Sequence, residues 1–131
     1  MKIKVSELTG AALDWAVAKA LGIRTYIGRY EHTLTGPCIL DADLVDMQTD
    51  GEQELKHSRS WAQGGPIIER EELQVYVADA VDGKWCAKPS DSEYWDFDGA
   101  AYGPTPLIAA MRCFVTKALG DEVDVPEELL K

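Results

Sequence analysis

The segment GPTPLIAAMRCFVTKALG, Gly103 to Gly120, constrains this chain more than any other. Thr105 offers a side-chain oxygen to the free N–H groups of a first helical turn. Pro106 has the backbone angle that a first helical position needs, and it has no donor there to waste. Leu107, Met111, Phe114 and Ala118 recur at helical spacing, with Ile108, Val115 and Leu119 beside them. Lys117 complements the negative end of the helix, and Gly120 supplies a left-handed stop. A helix this apolar needs other layers against it. Arg112 interrupts the apolar run between Met111 and Cys113, so its head is expected to reach outward or to pair with a carboxylate such as Glu69 or Glu71.

The rest of the chain supplies those layers. AALDWAVAKALG predicts a second helix, with Thr9 as its cap, Asp14 near its positive end and Gly22 as its stop. Its alanines allow a neighbour to approach closely. Met1 to Val5 predicts a short strand, and Ile23 to Leu34 an edge strand or the first arm of a sheet. Ile39 to Met47 carries a short helix or strand. Leu73, Val75 and Val77 alternate with Gln74 and Tyr76, which predicts a strand with one buried face. Asp82-Gly83 then marks a hairpin that returns through Lys84-Trp85-Cys86-Ala87. The expected fold class is α+β, a single domain over residues 1–131. Two main helices pack on a small, mostly antiparallel sheet, with acidic loops in Gly36 to Ser60 and Asp91 to Asp98.

Charge and motif content exclude several functions. Thirteen Lys and Arg face 23 Asp and Glu, a net charge of −10, which disfavours nucleic acid as a partner. The run Ala11 to Leu21, broken by Asp14 and Lys19, is too short and polar to span a bilayer. Cys38, Cys86 and Cys113 are scattered and odd in number, as in a reducing cytoplasm. His32 and His57 stand apart, and DMQTDGEQELKH from Asp46 starts like a calcium loop but places His57 where a Glu is required. No metal or cofactor is expected. No signature of nucleophilic catalysis or phosphate binding occurs, so no catalytic residue is assigned and an enzyme is the lesser expectation.

The stretch SRSWAQGGPIIEREE, Ser58 to Glu72, concentrates residue types that serve both folding and recognition. In the architectural reading Trp61 and Ile67 anchor in the core, Gly64-Gly65-Pro66 turns the chain, and a carboxylate from another segment holds Arg70. In the binding reading Trp61 is the apolar floor of a shallow pocket, and Gln63 and the amides of Gly64 and Gly65 are its hydrogen-bond groups. Arg70, beside Glu69, is then the fork for a carboxylate or phosphate. Trp85 and Arg112 are further candidates for a binding wall.

Three blocks resemble the NinX-like proteins of lambdoid phages and prophages: MKIKVSELTGAALDWAVAKALG, WAQGGPIIERE and YGPTPLIAAMRCFVTKALGDEVDVPEELL. The resemblance covers about half of the chain, leaving Ile23 to Arg59 and Leu73 to Tyr102 to physical reading alone. It implies a small phage accessory protein acting in the cytoplasm of an infected bacterium, and it brings no catalytic residues. The leading expectation is a non-enzymatic module that binds an unidentified host or phage protein. The alternative is a small-molecule or nucleotide-binding protein, conceivably an enzyme, with its pocket near Trp61 and Arg70. Oligomeric state is left open.

Overall fold

The computed structural model describes residues 1–28, 37–47, 54–79, 83–90 and 100–130. In chain order these form β1 (Lys2–Lys4), a 3₁₀ turn (Val5–Glu7), α1 (Gly10–Ala20), β2 (Thr25–Gly28), β3 (Cys38–Asp41) and α2 (Ala42–Asp46). There follow β4 (Glu54–Leu55), α3 (Trp61–Arg70), β5 (Leu73–Asp79), β6 (Lys84–Pro89), β7 (Ala101–Gly103), α4 (Pro106–Leu119), β8 (Glu122–Asp124) and a 3₁₀ turn (Glu127–Leu129). The class is α+β. Among the described residues the strands form three small antiparallel sheets: β1–β8, β2–β3–β4 and β5–β6–β7.

Helix α4 is the centre of the molecule. It packs on α1, on α3 and on all three strands of the β5–β6–β7 sheet. Leu107, Ala109, Ala110, Met111, Cys113, Phe114 and Val115 are buried along it, whereas Ala118 of the expected stripe is exposed. Its caps are those read from sequence. Thr105 Oγ1 accepts from the Ile108 amide at 3.1 Å, and Gly120 sits at φ +96°. α1 presents Ala12, Leu13, Ala16, Val17 and Ala18 to the core, and Gly22 follows it at φ +76°. Thr9 occupies the cap position of α1 without making a side-chain capping bond.

Several elements differ from their sequence reading. Gly64-Gly65-Pro66 does not turn the chain; it lies inside α3. A Cβ on Gly64 would collide with the His57 carbonyl oxygen and lie 2.6 Å from Leu107 Cδ1. The glycine is therefore demanded by close packing, which overrides its low helix propensity. Trp61, expected in the core, is 57% exposed at the start of the helix, while Ile67 is buried as expected. Ile39 to Met47 holds both a strand and a short helix, the latter capped by the Asp41 side chain. In the β5–β6 hairpin Gly83 has φ +65°, and Val77 is exposed rather than on a buried face. Asp82, His32, the acidic positions 48–53 of the calcium-loop-like segment and the acidic loop Asp91 to Asp98 lie outside the described residues. None of the described helices is long and apolar enough to cross a membrane.

Candidate functional site

The residues singled out from sequence fall in three places. On α3, a rotation of about 100° per residue puts Trp61, Gly65 and Glu69 along one outward stripe at i, i+4 and i+8. Trp61 and Glu69 are exposed, and a Cβ at Gly65 would meet nothing within 4 Å. Arg70 is nine positions from Trp61, which places it about 13 Å along the axis and on the opposite flank. A single pocket with Trp61 as floor and Arg70 as fork is therefore not assembled. Arg70 is paired with its chain neighbour Glu71 at 3.0 Å and lies 5.9 Å from the Phe114 ring centroid. The carboxylate comes from the next residue, not from another segment.

Gln63 and Gly64 face inward and are occupied structurally. Gln63 Oε1 accepts from the Lys56 amide at 2.7 Å, and Nε2 donates to the Glu54 carbonyl at 3.0 Å. The side-chain amide thus satisfies backbone groups beside β4, a strand at the rim of its sheet that would otherwise present unpaired groups. Trp85, half-buried on β6, stands opposite Gly103 of β7 and packs on the core.

Arg112 occupies the third place, and it neither snorkels nor pairs with Glu69 or Glu71. It is 8% exposed; Nε donates to the Leu8 carbonyl at 3.0 Å and Nη1 to the Tyr102 carbonyl at 2.7 Å. The side chain thereby ties α4 to the segment before α1 and to β7. No carboxylate lies within ion-pair distance of it among the described residues. Burial alone pulls the guanidinium down from its ordinary value. Above it opens a cleft of about 1000 Å³, to which Lys4, Ser6, Lys84, Tyr102 and Thr116 also contribute. Trp61, Arg70 and Trp85 are not in its wall. The Lys84 ammonium stands 4.4 Å from the Tyr102 ring centroid, a cation–π contact between two residues that line the cleft.

A polar cluster that sequence reasoning missed joins α1 to the turn before α3. Asp14, read from sequence only as lying near the positive end of its helix, is fully buried. Its Oδ1 accepts from the Ser58 amide at 2.8 Å and from Ser58 Oγ at 2.7 Å, and its Oδ2 lies 3.2 Å from Arg59 Nη2. Burial raises the Asp14 carboxyl above its ordinary range, against the opposing bonds from Ser58 and Arg59. His57, also buried, has no partner for Nδ1, and burial lowers its imidazole. The one sequence signal for this cluster was an Asp set in an alanine-rich run. Ser58 Oγ donates to the acid itself rather than to His57, so the cluster is a brace and lacks the relay of a nucleophilic triad. Among the described residues no group of three or more metal-binding side chains occurs.

No curated protein matches the chain. The family model described as Bacteriophage P22, NinX matches residues 4–118, a span that includes α1, the α3 stripe and Arg112 with most of α4, and by that match the chain belongs to the phage P22 NinX family.

Proposed function

We propose that this phage-family protein is an accessory factor that works by binding another protein, host- or phage-encoded, inside the infected bacterial cell. It is not an enzyme in this reading, and the partner docks on the outward stripe of α3. One observation carries the reading: a tryptophan leads that stripe with 57% of its surface in water. An exposed indole forgoes most of the burial that would stabilise the fold. It is also the side chain that most often dominates protein–protein binding energy. Four residues on, the bare backbone at Gly65 lets a partner come close to the helix beside the ring. Glu69 adds a charged end. The net charge of −10 favours a partner with a basic face.

The test compares wild-type protein with Trp61→Ala, each tagged and recovered from infected cells. The variant should cost at most about 2 kcal/mol of stability, against about 3–5 kcal/mol for truncating a fully buried aromatic. It should also lose a protein that co-purifies with the wild type. Recovery of the same protein by a well-folded variant would show that the stripe is not the contact.

A further inference from the structure

We propose that the cleft over Arg112 is a binding site for a small organic anion, one whose phosphate or carboxylate head is held by the Arg112 guanidinium. The site is separate from the α3 stripe and does not depend on it.

The first ground is the state of Arg112 itself. A guanidinium has five N–H donors, and two of them here serve the Leu8 and Tyr102 carbonyls, which leaves three without a partner among the described residues. The side chain is more than nine-tenths buried, and no carboxylate of the described residues stands within ion-pair distance of it. A buried charge without a counter-charge is costly, and two carbonyl dipoles compensate it only in part. The two carbonyl bonds also fix the plane of the group, so that its remaining donors are preorganised. Such a fork matches the paired oxygens of a carboxylate or phosphate.

The second ground is what surrounds it. The cleft's volume of about 1000 Å³ lies at the upper end of ordinary small-molecule sites and far exceeds what one inorganic ion fills. Lys4 and Lys84 come to it from separate sheets, and Ser6, Tyr102 and Thr116 add hydroxyl groups. Asp121 and Glu122 also border it, and Glu122 stands opposite Lys4 in the β1–β8 register. With the anionic head on Arg112, the parts of the ligand that meet these two acids are neutral or carry donors. A polyanion as long as the cleft is thereby excluded, which also separates this site from a track for nucleic acid.

The experiment titrates inorganic phosphate, adenosine monophosphate and succinate into the full chain, with chloride at matched ionic strength as the control. It follows both the melting temperature and the Arg112 Nε–H resonance. At least one oxyanion should shift that resonance saturably and raise the melting temperature beyond chloride. Whether phosphate or carboxylate gives the larger shift identifies the head group. A Lys4→Gln/Lys84→Gln double variant, altered only at exposed side chains, should bind that probe about tenfold more weakly, and Trp61→Ala should bind it as the wild type does. Arg112→Lys keeps the charge but not the fork, and should abolish the response if it folds. The proposal is overturned if no oxyanion exceeds chloride, if the double variant binds unchanged, or if the Arg112 resonance stays fixed during binding. Failure of the stripe reading would leave each of these outcomes as it stands.

Discussion

At the scale of single residues, the two adjacent glycines of α3 show how one residue type serves opposite ends. Gly64 faces the His57 carbonyl and Leu107, whereas Gly65 faces open space in the same helix. Gly64→Ala should therefore destabilise by about 1–3 kcal/mol, since a backbone carbonyl cannot yield as a flexible side chain can. Gly65→Ala should stabilise by about 0.5–1 kcal/mol through lower unfolded-state entropy and better helix propensity. Urea denaturation of the two variants checks both signs, and equal effects would mean that α3 is misplaced. A methyl at position 65 would also project from the stripe proposed as the docking surface, so the more stable variant should bind a protein docked there less tightly. The pair looks alike in sequence because glycine's conformational freedom is visible there and its neighbours are not. Gly-Gly-Pro consequently reads as a break. Pro66 is accommodated within the helix, and the carbonyl it leaves unbonded, four residues back, belongs to exposed Ala62.

At the scale of elements, α4 was legible because its ends are written locally. Thr105, Pro106 and Gly120 each act through their own backbone or the next turn, so no distant contact is needed to read them. Thr105→Ala should cost about 1 kcal/mol by freeing the Ile108 amide. Gly120→Val should cost more, because a β-branched residue is poorly tolerated at φ +96°. Thermal melts that coincide with wild type for both would show that the helix does not end there. The β5–β6 hairpin was legible for the same local reason, with Gly83 at its positive φ. What could not be read was the arrangement. One sheet was expected, but among the described residues the short strands divide among three, and β1 finds β8 from the other end of the chain. The candidate sites followed this rule. Exposed Trp61 and cleft-lining Arg112 were picked out by residue type. The Leu8 carbonyl that holds Arg112 and the Ser58 groups that hold buried Asp14 come from segments 104 and 44 positions away and left no local trace.

At the scale of the whole molecule, the Asp14–His57 junction couples folding to pH, because α1 and the turn before α3 meet there and separate only on unfolding. Burial holds the folded-state imidazole of His57 below its ordinary 6.5. As pH falls through 6.5 the unfolded chain takes up this proton first. The contribution of His57 is therefore full above pH 6.5 and is lost below it, down to the folded-state value. Asp14 has the opposite sign. Its folded-state value lies above 3.8, so the folded chain keeps that proton longer. Stability from this group is greatest below pH 3.8 and is lost as pH rises through the folded-state value. The two slopes have opposite signs, and the difference between wild type and a His57 variant below pH 6.5 isolates His57. His57→Gln should thus have a flatter stability curve than wild type between pH 7 and 5. Asp14→Asn keeps an oxygen for Ser58 but gives up the charge that faces Arg59. It should remove the acid-side gain, because the side chain no longer titrates. Urea midpoints taken at half-unit steps of pH for the three proteins measure this. The remaining carboxylates are common to wild type and variant, so they largely cancel in each difference. A His57→Gln curve parallel to wild type through this window would mean that His57 is solvated in the folded protein and that the junction is looser than its geometry shows.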